Sequence, residues 1–580
     1  MKRCPQCNRF ENDDALVFCR IDGTPLVADS SSTGSEAGTA QLSSKSEGNE
    51  FGTSVLPHTT NADFSRKTGP TTVLAQPTPA FTNELTKPSR RRSQILAAAA
   101  IVLIVVTVVG YSFFVRRNRA IESIAVLPFE NKSGNADSEY LSDGLAESLI
   151  YRLSQLPNLK VSPTSSVMRY KGTTTDVVKI GNDLGVQAVM SGRMVLRGEN
   201  ITISVELVDI RSNVLIWGEK YDRKMSELLA TQKEIATEIT NKLRLKLSGE
   251  SEQKLTKKYT DNNEAYQLYL KGRFFWNKRD EENLRKAIEE FKAAADQDPN
   301  FALAYVGLAD SYVLLPFYSS ATSAEVTPPA KAYAERALAI DSSLGEAHSS
   351  LGYVDRLLWN WTDAEKELKR GIELNPNYAT AHKWYANVLF DLRRFDESLA
   401  ELKRAQELEP LSLIISANLA ENYLQSGDLN AAAAQCQRAI DLEPNWYYAH
   451  LLLSLIYLQQ GRNPEALSEA EKSVELSKRL GTSLTFLGVV YVQTGRRADA
   501  EAVLKELKQK YTDHKANGYD IARIYAAMGD KDQAFEWLEK DFQSRNATMP
   551  NFLSSGPLSS LSDDPRYKDL LRRIDIPELK

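Results

Sequence analysis

Closely spaced cysteines near the amino terminus are the first residues of this sequence that suggest chemistry. Cys4, Cys7 and Cys19 fall within the first twenty residues, whereas the fourth cysteine, Cys436, stands far away. A disulfide framework would spread paired cysteines through a short secreted chain, while clustered thiolates are typical metal ligands. The spacing predicts a small metal site, and Cys436 is interpreted as a buried thiol in a helical core.

The segments Cys4-Pro5-Gln6-Cys7 and Cys19-Arg20-Ile21-Asp22 resemble a zinc ribbon. The resemblance implies a structural zinc ion bound by Cys4, Cys7 and Cys19. The family supplies a fourth cysteine where this chain has Asp22, and a carboxylate ligates zinc at about 2.0 to 2.2 Å. A metal-free knuckle and a redox-active thiol pair are the alternative interpretations of the same residues.

The motifs of known catalytic centres are missing from the sequence. The phosphate-binding GxxxxGK[ST] run, HExxH, GxSxG and the dinucleotide fingerprint do not occur. Each long segment is assigned to a linker, a membrane span, an accessory domain or repeats, so we expect that the protein is not an enzyme. The net charge of -5, from 71 basic and 76 acidic residues, has no overall bias, and nucleic acid is not expected as a partner.

The amino-terminal third contains two segments that tether the remaining domains. Residues 28–94 are rich in Ser, Thr, Gly and Pro and predict a disordered linker. Residues 95–115 carry no charge, and 21 residues form a helix of about 31 Å, which matches a hydrocarbon core of about 30 Å. This pattern predicts a single transmembrane helix.

The orientation of that helix is decided only weakly by charge, because arginines flank both of its ends. Cysteines stay reduced in the cytoplasm, so the thiols of the zinc-ribbon-like head, residues 1–27, favour a cytoplasmic amino terminus. We therefore expect a single-pass protein of the inner (cytoplasmic) membrane, whose carboxy-terminal domains lie in the periplasm or another extracytoplasmic space.

Residues 121–247 alternate between strand and helix patterns and predict a compact α/β domain. Expected strands are 123–129, 188–196, 201–209 and 214–221, and expected helices are 139–156, 177–184 and 226–247. The segments 123–150, 180–224 and 231–239 resemble the TolB amino-terminal-like, or FlgO-like, domain of bacterial proteins. That resemblance implies a non-catalytic module. Where the family usually has Glu-Gly-Ser, this chain reads Ser191-Gly192-Arg193.

A 34-residue period runs through the carboxy-terminal half and is plainest at Pro376, Pro410 and Pro444. Small residues recur in the same frame where paired helices would cross. This pattern stays in register across about 280 residues and resembles the tetratricopeptide repeat (TPR). The resemblance implies an all-α solenoid of eight helix pairs over 264–548, followed by a capping segment at 549–580. An insertion at 315–326 is expected to form a loop.

Two sets of residues in the repeats suggest binding. His348, His382 and His450 share one repeat position, but neighbouring first helices stand too far apart to share a zinc ion, so we interpret them as packing residues. TPR domains that hold a peptide carboxylate use a Lys and an Asn four residues apart and an Asn in the next repeat. Lys383, Asn387 and Asn418 have these spacings, although Tyr448 and Leu452 replace the cations that complete such a clamp. A solvated helix face is the alternative.

The chain is thus expected to be multidomain, with a small zinc-ribbon-like head, a transmembrane helix, an α/β domain and an all-α TPR solenoid. The leading hypothesis is a membrane-anchored scaffold that binds a peptide or protein partner on the concave face of the repeats. The alternative is a signal-transducing, transcription-regulator-like membrane protein with an exported sensor domain. The head carries balanced charges, which disfavours phosphate binding.

Overall fold

The computed structural model describes residues 2–3, 10–11, 27–28 and 120–576, apart from 136–137, 157, 246, 320, 547–548 and 553–555. The chain divides into two units, residues 1–96 and 97–580. In the first unit, the strands β1 (Lys2–Arg3), β2 (Phe10–Glu11) and β3 (Val27–Ala28) form an antiparallel sheet in the order β2-β1-β3.

Several sequence predictions fall outside the described residues. These are the zinc ligands Cys4, Cys7, Cys19 and Asp22, residues 29–94 of the linker, and the transmembrane span 95–115. Within the described ranges, every helix is too short or too polar to cross a bilayer.

The second unit begins with the α/β domain. Its strands are β4 (Ser123–Val126), β5 (Glu130–Asn131), β6 (Lys160–Val161), β7 (Ala188–Arg197), β8 (Asn200–Asp209) and β9 (Val214–Lys224). Its helices are α1 (Glu139–Ser154), α2 (Thr164–Val167), α3 (Val177–Leu184) and α4 (Leu228–Lys242), and α5 (Gly249–Thr256) leads into the repeats.

The sheet of this domain is mixed, in the order β6-β4-β7-β8-β9, and β5 pairs with β7. Strand β4 runs parallel to β6 and β7, whereas the hairpins β7–β8 and β8–β9 are antiparallel. In β8 every second side chain, from Ile201 to Leu207, is buried, which is the alternation of a strand with one face on a core. The α/β fold and its three long strands are thereby confirmed.

Eight helix pairs follow, as the 34-residue period predicts. In chain order they are α6 (Asn263–Trp276) with α7 (Glu281–Gln297), α8 (Ala302–Tyr318) with α9 (Ser323–Ile340), α10 (Gly345–Leu357) with α11 (Trp361–Leu374), α12 (Ala379–Asp391) with α13 (Phe395–Leu408), α14 (Leu413–Gln425) with α15 (Leu429–Leu442), α16 (Tyr447–Gln459) with α17 (Asn463–Leu476), α18 (Gly481–Gln493) with α19 (Arg497–Thr512), and α20 (Gly518–Met528) with α21 (Lys531–Gln543).

Small side chains stand where the two helices of a pair cross. A Cβ atom on Gly272 would lie 2.6 Å from the ring of Phe291 in the partner helix, and one on Gly352 would lie 2.7 Å from Leu368. Both distances are well below van der Waals contact, so only glycine permits these approaches. The steric reason inferred from the sequence pattern is therefore present in the structure.

The insertion at residues 315–326 does not form the expected loop. Helix α8 continues to Tyr318 through Pro316, and α9 already begins at Ser323. The buried face of α8 ends at Leu315, and the last turn of the helix carries the exposed side chains of Phe317 and Tyr318. A capping box between Thr322 and Glu325 starts α9 early. The extra residues therefore lengthen both helices of the second pair.

The carboxy-terminal segment contains α22 (Met549–Phe552), a 3-10 turn at Gly556–Leu561 and α23 (Pro565–Ile574). Beyond capping the last repeat, it returns to repeats three and four. The Trp361 indole donates a hydrogen bond of 2.8 Å to the Ile574 carbonyl, and Arg393 donates one of 3.2 Å to the Tyr567 hydroxyl. The solenoid is thus closed on itself by contacts that the sequence did not indicate.

Overpacking of one helix crossing tests the repeat architecture. Ala432 is fully buried in α15, so Ala432→Leu should cost about 1 to 3 kcal/mol and should speed hydrogen exchange in repeats four to six. Ala434→Leu, on the exposed side of the same helix, is the matched control and should change little. Equal loss of protection across 121–576 for Ala432→Leu would contradict nearest-neighbour behaviour.

Candidate functional site

The first helices of the repeats form the inner surface of the solenoid. First helices of neighbouring repeats pack on each other, as α8 does on α10 and α18 on α20, and they do so more closely than the second helices. A solenoid curves toward the side on which its helices are closer, so the first helices line the concave face.

The α/β domain covers part of this face through contacts between α1 and α6. Arg273 of α6 donates a hydrogen bond of 2.7 Å to Glu147 of α1, and Asn277 donates one of 2.8 Å to the other carboxylate oxygen. The hydroxyl of Tyr266 donates to the side-chain carbonyl of Gln232 at 2.5 Å and lies 2.6 Å from the Ser148 hydroxyl. Glu147, Ser148, Gln232 and Tyr266 are buried, and Arg273 and Asn277 are partly buried, so the junction is a polar network whose members pair with one another.

Further polar contacts extend the junction along the loops between repeats. Gln155 donates to Glu346 at 3.3 Å, Asn377 donates to the backbone carbonyls of Ser154 and Leu156, and Ser165 donates to Glu409 at 3.2 Å. The α/β domain therefore reaches from the first repeat to the end of the fourth. The sequence did not indicate this arrangement, because the participating residues are ordinary polar residues in their own elements.

Beyond this junction the inner face carries an asparagine-rich pocket. Its lining residues belong to α12 and α14, and they are Asn387, Phe390, Asn418, Glu421 and Asn422. Two of the three predicted clamp residues, Asn387 and Asn418, thus line one pocket, and Lys383 lies one helical turn before Asn387. Glu421 stands 34 residues after Asn387, so the repeat period identifies it as the equivalent position.

The amides of this pocket have unused hydrogen-bonding capacity. Within the described part of the chain, the side-chain oxygens of Asn418 and Asn422 are buried and accept no hydrogen bond. Asn418 donates to Glu421 at 3.2 Å, and the Tyr448 hydroxyl donates to the other oxygen of Glu421 at 2.5 Å. Buried acceptors without a donor are costly, and a bound group with N–H donors would satisfy them.

Burial also shifts the titration of two groups at this surface. Desolvation, with Arg279 and Arg356 nearby, lowers the pKa of Lys383 to about 8, so its positive charge is lost as the pH rises through that value. Burial raises the pKa of Glu421 despite its hydrogen bonds from Tyr448 and Asn418. The pocket therefore contains a carboxyl group that is a weaker acid than usual, and a weakly basic amine lies one helical turn before Asn387 on the same helix.

The three histidines lie in separate repeats and share one arrangement. In each, the imidazole Nδ1 lies 2.6 Å from a glutamate of the second helix of the same repeat; the pairs are His348 with Glu367, His382 with Glu401, and His450 with Glu469. Each Nε2 lies near the carbonyl of the residue six positions earlier. These contacts join the two helices of a repeat, in agreement with a packing role.

Cys436 is buried in the core of repeats five and six, as predicted. Burial raises the pKa of its thiol to about 12, so the reactive thiolate is disfavoured. Among the residues that the structure describes, no cluster of three or more His, Cys, Asp or Glu side chains is placed to hold a metal ion.

Tetratricopeptide family models match residues 360–412, 418–478, 482–506 and 519–540. The carboxy-terminal solenoid contains tetratricopeptide repeats. Residues 120–238 match a model described as the second domain of HilA/YgeH-like transcriptional regulators. The TolB amino-terminal-like resemblance stays a prediction, since the model matched over these residues is the HilA/YgeH-like one.

Two curated relatives are similar to parts of the chain. A putative adenylate cyclase 3 of Rhizobium meliloti is 31% identical over 232 residues, which are 40% of this chain and 39% of the relative. The transcriptional regulator HilA of Salmonella typhimurium is 22% identical over 284 residues, which are 48% of this chain and 49% of the relative. The chain thus spans less than half the length of either relative.

Solved structures that are similar to part of the chain include the pilF protein of Pseudomonas aeruginosa and a TPR protein of Thermus thermophilus. The first has 20% identity and a TM-score of 0.31, covering 37% of this chain and 93% of the other. The second has 22% identity and a TM-score of 0.29, covering 33% and 99%.

Removal of one junction cation tests whether the α/β domain depends on this docking. Arg273→Ala leaves Glu147 buried with only Asn277 as a side-chain partner, which should cost about 2 to 4 kcal/mol, reduced from a fully buried pair because Arg273 is partly exposed. Hydrogen exchange should quicken in α1 and α6.

The control is Arg285→Ala, which removes an exposed pair with Glu281 on the neighbouring helix α7. An exposed pair of this kind contributes about 0 to 1 kcal/mol. If the two variants have the same free energy of unfolding and neither shows faster hydrogen exchange in α1, the junction does not hold the α/β domain in place.

Proposed function

We propose that this protein is a membrane-anchored interaction scaffold whose TPR solenoid binds an extended segment of a partner protein at the asparagine-rich pocket of repeats four and five. The observation that carries the proposal is that the buried side-chain oxygens of Asn418 and Asn422 accept no hydrogen bond within the described residues. TPR proteins mediate protein–protein interactions, and the matched repeats include this pocket.

The chemistry of the pocket favours a peptide backbone. A side-chain amide offers the same donor and acceptor as a peptide group, so asparagines along an inner face can pair with an extended chain whatever its side chains. Phe390 adds an apolar wall to the pocket. The ligand is thus an extended segment with free backbone N–H groups.

The same pocket disfavours the carboxylate clamp that Lys383, Asn387 and Asn418 suggested. Glu421 occupies the equivalent position in the repeat after Asn387, where an acid would repel a terminal carboxylate. The Tyr448 hydroxyl donates a hydrogen bond to Glu421, and Tyr448 occupies a position where the clamp would have a cation. An internal segment of the partner fits better than its carboxy terminus.

Peptides selected from a random display library on the purified protein test this site. The double variant Asn418→Ala/Asn422→Ala should weaken the binding of selected peptides roughly tenfold, because each lost hydrogen bond contributes about 0.5 to 1.5 kcal/mol. Asn445→Ala, an exposed asparagine in the loop before α16, is the control and should bind like the parent.

Amidation of the peptide carboxy terminus separates the two modes of binding. Unchanged affinity after amidation supports recognition of an internal segment. Loss of binding on amidation would restore the carboxylate clamp, and unchanged binding by the double variant would remove the pocket from the proposal.

Membrane anchoring and zinc binding are further parts of the proposal, and both are supported by sequence alone. Residues 95–115 would form the anchor, with the amino terminus in the cytoplasm and the TPR solenoid on the other side of the inner membrane. Cys4, Cys7 and Cys19, with Asp22 as the fourth ligand, would hold a structural zinc ion in the head.

Cell fractionation tests the anchor. The full chain should sediment with membranes and resist extraction by high salt, because a helix of 21 uncharged residues is held by burial of apolar surface and not by charge. A variant that begins at Ile121 should be recovered in the soluble fraction. Recovery of the full chain there would contradict the anchor.

A signal-transducing membrane regulator is the second candidate function. The match of residues 120–238 to the second domain of HilA/YgeH-like regulators favours it. On this hypothesis the docked α/β domain is the sensor. A scaffold without enzymatic activity remains the leading proposal. The match to the relative named as a putative adenylate cyclase covers only 39% of that relative, so its name does not outweigh this proposal.

A further inference from the structure

A cavity lies inside the junction between the α/β domain and the first three repeats. Residues of α1 and α4 form one wall and residues of α6, α8 and the start of α10 form the other, while Tyr259 and Tyr378, from the loops before α6 and α12, complete the lining. Its volume is about 70 Å³. At roughly 10 to 15 Å³ for each water, the cavity has room for about five waters or for a ligand with about as many heavy atoms.

The wall of this cavity is aromatic and acidic. Five tyrosines line it: Tyr151, Tyr259, Tyr266, Tyr269 and Tyr378. The three acidic lining residues are Glu147, Asp310 and Glu346. Tyrosine rings present a negative face, so the rings and the carboxylates both favour a positive ligand.

The two arginines of the wall are engaged by other groups. Arg273 is paired with Glu147, and Arg152 donates to the backbone carbonyls of Leu255 and Lys257 at 3.1 and 2.9 Å. Both guanidinium groups therefore already have acceptors, whereas one lining carboxylate, that of Asp310, keeps an oxygen that has no donor among the described residues.

Asp310 provides an acceptor without a donor. Its side chain is 1% exposed, and one carboxylate oxygen accepts a hydrogen bond from the Ser350 hydroxyl. The other oxygen has no hydrogen-bond partner among the described residues. A buried carboxylate oxygen in this state is costly unless a donor, and best a cationic donor, occupies the cavity.

We propose that this cavity binds a small organic cation, a primary alkylammonium of about four heavy atoms, whose ammonium group donates to Asp310 while its carbons lie between the tyrosine rings. This site is separate from the asparagine-rich pocket and goes beyond the proposed scaffold function. Because the α/β domain and the TPR solenoid both supply its walls, a bound cation stabilises the docked arrangement.

Calorimetric titration of the purified full chain with propylammonium tests the site, at constant ionic strength set with sodium chloride. Propylammonium should bind with a dissociation constant no tighter than its four heavy atoms allow. In a thermal scan of the same protein, it should also raise the melting temperature. Neutral 1-propanol and anionic propionate, which are similar in size, should bind at least tenfold more weakly. Potassium chloride at the same concentration should leave the melting temperature unchanged.

Two variants assign the binding to this cavity. Asp310→Asn should weaken propylammonium binding at least tenfold, while Asp355→Asn, a buried aspartate of α10 outside the cavity, should not. Val306→Leu keeps Asp310 but fills part of the space and should also weaken binding. Circular dichroism of each variant checks that it is folded.

The pH dependence gives a further readout. Burial raises the pKa of Asp310 to about 6, with Glu346 acting in the same direction and with Ser350, Arg273 and Arg279 opposing it. The ionised form binds the cation, so affinity should be full above pH 7 and fall about tenfold by pH 5.

Equal binding of propylammonium and 1-propanol would overturn the proposal, and so would unchanged binding by Asp310→Asn. Absence of any response up to about 50 mM propylammonium would mean that the cavity holds water only. An equal response to potassium would show that the site takes inorganic cations, and the organic ligand would then be withdrawn.

Discussion

The close approach of two helices at a small residue is the constraint on which the solenoid depends. Gly272 and Gly352 allow contacts that any Cβ would obstruct, and Gly488 lies equally close to Ile524 of the next repeat. Because the same crossing recurs at a fixed interval, each pair stacks on the next at a similar angle. Curvature of the solenoid, and hence its inner face, follows from this repetition.

Other segments of the chain cover part of that inner face, and the rest is left open to a partner. The α/β domain fills the surface of the first repeats and reaches the end of the fourth through Ser165 and Glu409. The carboxy-terminal segment closes the other edge through Trp361 and Arg393. In repeats four and five, the buried side-chain oxygens of Asn418 and Asn422 accept no hydrogen bond from the described residues. The chain thereby limits where an extended partner can bind.

Polar groups at the junction divide into two kinds. Glu147, Arg273 and Asn277 satisfy one another, which makes their contact specific to one docked position. Asp310 lines the same cavity as Glu147 and Arg273, and one of its carboxylate oxygens has no donor among the described residues. A satisfied network holds a structure together, whereas an unsatisfied buried group that lines a cavity is a candidate position for a bound group.

Local patterns in the sequence determined the elements and their order. The alternation in β8 and the small residues at every thirty-fourth position act through neighbours close in sequence or in adjacent repeats, so the α/β fold and the eight pairs were predictable. The extended helices α8 and α9 were missed, because a capping box at Thr322 outweighed the loop-like composition. In the candidate site, the period placed Asn387 and Asn418 together.

Tertiary structure alone decided which polar residues meet across long separations in the chain. Glu147 and Arg273 lie 126 residues apart, and Trp361 and Ile574 lie 213 residues apart. No spacing rule connects such residues, because their contact depends on the summed curvature of several repeats. The docked α/β domain, the closed edge and the acidic cavity at Asp310 all arise from that curvature. The zinc-binding head and the membrane span are predictions from the sequence alone.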